Sequence, residues 1–221
     1  NHEICTKPSG DTVSRDEESR YNLYEMDYDS IRLYDVGLKP HPRFKTQQKI
    51  KVFKPLLSAA IDSIESHIAE NKLNPIQYNI EIKSSKFGDN RYHPEPVEYV
   101  DRLVSLVKKK EILDRVIIQS FDFRILRQIH SKYPGISSAA LIERDITPDK
   151  VMEELGYKPD VYSPDFNLVN ENWLSFCDKH NIKLIPWTVN EPEDLLTAIN
   201  LGVDGIITDY PDRLVEIISK K

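Results

Sequence analysis

Short apolar segments return along this chain at a nearly constant interval. Six of them have the length and β-branched content of strands: YNIEIK at 78–83, RVIIQSF at 115–121, SSAALIE at 137–143, DVYSPDF at 160–166, IKLIPWTV at 182–189 and GIITDY at 205–210. With Ile80, Ile118, Leu141, Tyr162, Ile185 and Ile207 as centres, the steps are 38, 23, 21, 23 and 22 residues. A strand, a loop and a three-turn helix fill such a step. The intervening stretches carry helical stripes: Val97, Val100, Leu103, Val104 and Val107, then Ile125, Leu126 and Ile129, then Leu195, Leu196 and Ile199, the last stopped by Leu201-Gly202. Pro211 and Asp212 suit the start of a final helix. The pattern is a βα repeat and neither an all-β nor an all-α protein.

Six βα units suit an open doubly wound sheet or most of an eight-stranded barrel. The first βα turn has none of the glycines of a dinucleotide site. Polar side chains recur at strand C-terminal ends: Glu81 and Lys83, Gln119, Glu143, Ser163 and Asp165, Trp187 and Asn190, Asp209. A ring of such residues on one face is how a (β/α)8 barrel builds a site, so the expected class is α/β, a (β/α)8 TIM barrel. Ahead of the repeat the chain is polar and Tyr-rich, with one short helix expected around Asp27 to Tyr34. We read 1–53 as an insertion or loop region attached to a barrel of 54–221, effectively one domain. The barrel portion opens on a helix carrying Leu56, Leu57, Ala60, Ile61, Ile64 and Ile68.

Composition removes several function classes. Thirty Lys and Arg against 36 Asp and Glu leave a net charge of −6, which offers no broad positive field for a nucleic acid. No apolar run approaches the roughly 20 residues of a membrane span, and the N-terminus has no signal-peptide pattern. The chain starts on Asn, which suggests a processed or truncated beginning and leaves cytoplasmic or periplasmic/secreted placement open. Cys5 and Cys177 lack zinc or redox spacing, and Cys177 reads as a small core residue. The seven glycines form no phosphate-cradling loop.

The segment Asn79-Ile80-Glu81-Ile82-Lys83 alternates with period two. If its isoleucines face the helices, Asn79, Glu81 and Lys83 face the barrel interior. A carboxylate there either pairs with its lysine or binds a hard cation beside a lysine set for an anion. Trp187 at another strand end either walls a small-molecule pocket or packs. Asp209-Tyr210-Pro211 reads as helix capping. His67 and His130 lie within helices and His180 near a helix end, while His41 and His93 precede prolines. None forms a metal-binding pair.

Taken in order, NIEIKSS, VIIQSFDFRILRQIH, YSPDF and IPWTVNEPEDLLTAINLGVDGIITDYPDRL resemble the glycerophosphodiester phosphodiesterase family of (β/α)8 hydrolases. LYEMDYDSIRLYDVG and KVFKPLLSAAIDSI are similar to its insertion and following helix. The resemblance implies metal-dependent hydrolysis of glycerophosphodiesters to glycerol phosphate and an alcohol, with two histidines moving protons and a divalent cation, Ca²⁺ or Mg²⁺. It implies Glu81 as a metal ligand, Lys83 as a phosphate contact and Trp187 on the glycerol side of the pocket. The family's opening His-Arg and Glu-x-Asp motifs are not found here. His2-Glu3 is similar to its third motif, with a shorter run to Gly10, and the catalytic histidines stay unassigned. From these gaps we expect a preceding segment in the functional protein. The alternatives are a non-catalytic barrel that binds a phosphorylated ligand, or a related phosphodiesterase with another substrate.

Overall fold

The computed structural model describes residues 2–220. Two compact units emerge: the chain up to Pro75 together with Phe87–Pro94, and Ile76–Lys86 together with the chain from Glu95 onward. The second helix therefore groups with the first unit, whereas the sequence reading divides the chain near residue 54.

In the first unit a short helix, α1 (Tyr28–Ile31), is capped by Asp27, whose carboxylate accepts the Ser30 N–H. It is shorter than the expected segment. Helix α2 (Leu57–Asn71) ends on Lys72 in the left-handed region. Between them the chain is shaped by the buried Asp35, which accepts backbone N–H bonds from Gly37, Leu38 and Val52 at 3.3, 3.0 and 3.0 Å. Gly37 is required there, because a Cβ would run into the Ile50 carbonyl oxygen and Val52 Cγ2.

The second unit is the βα repeat. Its strands β1 (Tyr78–Glu81), β2 (Val116–Ser120), β3 (Ser137–Ile142), β4 (Val161–Pro164) and β5 (Lys183–Leu184) form one parallel sheet in the order 1-2-3-4-5. Helices α3 (Pro96–Lys109), α4 (Phe123–Lys132), α5 (Pro148–Leu155), α6 (Glu171–His180) and α7 (Pro192–Leu201) supply the crossovers, and α8 (Pro211–Ser219) follows. A strand order that never reverses is the order of a barrel wall, since a doubly wound sheet changes direction at a switch point.

The sixth expected strand, 205–210, is not a regular strand. It lies alongside the segment after β5 through Ile207 N–H to the Pro186 carbonyl and Val189 N–H to the Ile207 carbonyl, both 2.9 Å. β5 is also shorter than the sequence suggests. Its chain continues beside β4 through Ile185 N–H to Tyr162 and Trp187 N–H to Pro164, but Pro164 and Pro186 have no N–H to give, so the regular ladder stops early.

Register decides which residues share a face. Tyr162 meets Trp173 of α6 edge to face at 5.5 Å and donates to the Pro148 carbonyl, so its side of the sheet faces the helices. Ile80, Ile118, Ser138, Ala140 and Ser120 fall on that side by pairing. The helices meet it with Val100, Leu103, Val104, Val107, Ile125, Leu126, Ile129, Val151 and Leu155, all buried. Cys177 is part of this core, and burial pushes its thiol up to about 12.

Candidate active site

The opposite face of the sheet carries Glu81, Gln119, Ala139, Val161 and Lys183 in one paired row. Leu141 and Ser163 pair in the next, and Asp165 bridges Trp187 beyond it. Pairing with Gln119 thus puts Glu81 on the face where the alternation of NIEIK places it, with Ile80 turned to the helices, while Lys83 lies past the strand end and meets Glu81 from the solvent side. Ser163 Oγ, fully buried on this face, has no hydrogen-bond partner among the described residues.

Lys83 Nζ lies 2.7 Å from Glu81 Oε1. The lysine side chain is 79% exposed and the glutamate 22%, so the pair opens to solvent on the lysine side. Asn79 Nδ2 donates to Gln119 Oε1 at 2.9 Å, which occupies the neighbouring amide. Trp187 is held by its indole N–H, 2.8 Å from the Ser163 carbonyl oxygen, and its ring meets Phe121 edge to face at 5.4 Å and 89°. The aromatic corner thus joins the ends of β2 and β5, and the sequence reading missed the Phe121 half of it.

Side chains also tie these strand ends together. The last backbone bond between the first two strands is Ile82 N–H to Gln119, at 2.9 Å. Beyond it the fully buried Ser120 hydroxyl donates to the Ile82 carbonyl at 2.7 Å, and Ser84 Oγ donates to Asp122 Oδ2 at 2.8 Å. Asp122 is the N-cap of α4 and also accepts from the Arg124 backbone and guanidinium. Burial opposes its ionised form, but the bonds from Arg124 and Ser84 prevail and hold its carboxyl below the usual 3.8. An Asp directly before a helical stripe was the available signal for this residue.

Asp209 does not cap α8. Its carboxylate accepts Asn190 Nδ2 at 2.9 Å and its N–H donates to Asn190 Oδ1, while the cap position is Tyr210, with no side-chain cap bond. Asn190 Oδ1 can accept N–H bonds as a carboxylate does, and it captures the junction first. His130 stacks on Tyr157 and His180 on Phe176, with ring centroids 3.8 and 4.2 Å apart. In the first unit His2 Nδ1 lies 2.8 Å from Glu18 Oε2, and Lys39 Nζ donates to the His2 carbonyl.

Ca²⁺ takes six to eight oxygen ligands and Mg²⁺ six, mostly carboxylates, carbonyls and waters. Among the described residues no group of three or more His, Cys, Asp or Glu gathers into a metal site. Glu81 is one hard donor, already paired with an ammonium. Among the described residues Glu81 is thus one donor toward such an ion and does not complete its shell.

Comparison with known proteins agrees with the fold. The model of the glycerophosphoryl diester phosphodiesterase family matches residues 10–213. A glycerophosphodiester phosphodiesterase of Caldanaerobacter subterraneus subsp. tengcongensis is 32% identical over 213 residues, covering 95% of this chain and 78% of that protein. A Silicibacter pomeroyi DSS-3 structure, provisionally named a glycerophosphoryl diester phosphodiesterase, covers 100% of this chain and 76% of its own at a TM-score of 0.83 and 23% identity. An Oleispira antarctica phosphodiesterase, solved with the product sn-glycerol-3-phosphate, covers 89% of this chain and 72% of its own at 0.69 and 18%. At those identities the two structures speak for the fold alone. The match across 10–213 and the likeness to the Caldanaerobacter enzyme make this chain a member of the glycerophosphoryl diester phosphodiesterase family, whose fold is the TIM barrel.

Proposed function

We propose that the protein hydrolyses glycerophosphodiesters, the small diesters left when phospholipids lose their acyl chains, to glycerol phosphate and an alcohol. Lys83 is read as the phosphate contact, Trp187 with Phe121 as the wall against the glycerol carbons, and Glu81 as one oxygen donor toward a divalent cation. The observation that carries this is the Glu81–Lys83 pair at the C-terminal end of β1, on the face opposite the helices.

An exposed ion pair is worth only about 0–1 kcal/mol, so a diester phosphate can draw the Lys83 ammonium away from Glu81 at little cost. The ammonium then neutralises the substrate's single charge as a mobile point charge. The T-shaped aromatic corner offers a rigid apolar surface to a three-carbon chain and needs no reordering, because the indole N–H is already satisfied. Hydrolysis forms one P–O bond from water and breaks the one to the departing alcohol, whose oxygen takes up a proton. A cation, when bound, would polarise a phosphoryl oxygen.

The test is release of glycerol 3-phosphate from glycerophosphocholine and glycerophosphoethanolamine by the whole protein, with and without EDTA. Release should be abolished by chelator, lowered ~100-fold or more by Glu81→Gln, and weakened mainly through KM by Lys83→Ala. Turnover indifferent to both EDTA and Glu81→Gln would remove the metal role, and no release from either substrate would remove the proposed activity.

A further inference from the structure

The motif Gln119-Ser120-Phe121-Asp122 at the end of β2 reaches in two directions. Phe121 joins the aromatic corner, while Ser120 and Asp122 point elsewhere: both reach across to the segment that carries Lys83. Ser120 fixes the carbonyl of Ile82, immediately before the lysine, and receives the Asp122 N–H at 3.1 Å. Asp122 fixes the hydroxyl of Ser84, immediately after it. Lys83 is thus bracketed on both sides at the level where the backbone ladder between β1 and β2 has ended.

We infer that Asp122 and Ser84 form a clamp that positions Lys83 for the substrate phosphate. The inference rests on the function proposed above for its consequence, though the clamp itself is geometric. Asp122 suits the task because it is itself immobilised: its side chain is only 10% exposed, its Oδ1 caps α4 through the Arg124 N–H at 3.0 Å, and the Arg124 Nη2 lies 2.6 Å from Oδ2. The Arg124 guanidinium neutralises it, which leaves the carboxylate to act as a fixed anchor. Helix α4 is seated by Ile125, Leu126 and Ile129, each with no exposed surface, so the anchor stands on a rigid element. Lys83 contributes the opposite property, a long and exposed side chain whose reach is set by where its backbone is held. Displacing that backbone by about 1 Å is enough to loosen the ammonium's hold on a bound phosphate. Asp122 and Ser84 are positioning residues and need not touch the substrate.

The experiment uses the whole protein with five variants: Ser84→Ala, Ser84→Thr, Lys83→Ala, the double variant Lys83→Ala with Ser84→Ala, and Asp122→Asn. Ser84→Ala should raise the KM for glycerophosphocholine about five- to tenfold with kcat changed by less than about twofold, and Ser84→Thr, which keeps the hydroxyl, should restore it. In the Lys83→Ala background, Ser84→Ala should add less than about a twofold further change, since its effect passes through the lysine. Full additivity of the two variants overturns the positioning role. Amide hydrogen exchange across residues 83–86 supplies a readout that does not depend on activity: Asp122→Asn and Ser84→Ala should each speed exchange there about fivefold or more. Unchanged exchange overturns the clamp. Faster exchange with a KM that Lys83→Ala leaves untouched upholds the clamp and instead removes the phosphate role proposed for Lys83.

Discussion

Asp35 organises a stretch of the first unit that has no long element of its own. Three backbone N–H groups converge on its buried carboxylate, from Gly37, Leu38 and Val52. Burial works against its charge, but those donors hold its pKa below the usual 3.8. A depressed carboxyl stabilises the fold above its unfolded pKa, and that contribution is lost as pH falls through the folded value. Asp35→Asn should therefore cost roughly 1–3 kcal/mol at neutral pH and flatten the acid side of the melting-temperature profile below about pH 4, as followed by near-ultraviolet tyrosine dichroism. At this scale the sequence was legible where strand alternation decides which face a side chain takes, as for Ile80 and Glu81. It was opaque for the Val52 bond to Asp35, the Ser84 bond to Asp122 and the Phe121–Trp187 contact, because each joins distant segments that no local period announces.

Elements were read best where one apolar stripe governs them. Helix α4 shows why: Ile125, Leu126 and Ile129 all reach zero exposure, whereas Val97 and Leu196, also counted in their stripes, remain 51% and 41% exposed at the stripe edge. Leu126→Ala should destabilise the protein by about 2–5 kcal/mol, the range for a buried leucine whose cavity cannot fully collapse, and urea unfolding would measure it. Strand ends were read less well. IKLIPWTV has the composition of an eight-residue strand, but only Lys183–Leu184 are regular, since prolines in β4 and after β5 interrupt the donors on both sides of the ladder. The junction at Asp209 was misread for a related reason: Asn190, 19 residues earlier, takes the bonds that a helix cap would otherwise make.

Across the molecule, the chain passes between the two compact units three times, at residues 75–76, 86–87 and 94–95. The excursion Phe87–Pro94 is fastened within the first unit by Asn22 Nδ2, which donates to the Arg91 carbonyl at 2.6 Å. Losing a bond of this kind costs about 1 kcal/mol, so Asn22→Ala should let trypsin cut after Arg91 about fivefold faster, as counted by mass spectrometry of early fragments. The family's barrel was legible at this scale from the repeat interval, while the division into units was not, since residues 87–94 join a unit whose other members end at Pro75. The unreversed strand order has a further consequence for how the second unit is made. Each new strand docks beside the one synthesised just before it, so assembly closes only loops of a few tens of residues at a time. Long-range searching is replaced by stepwise accretion, and a nascent chain can lengthen its sheet as it leaves the ribosome.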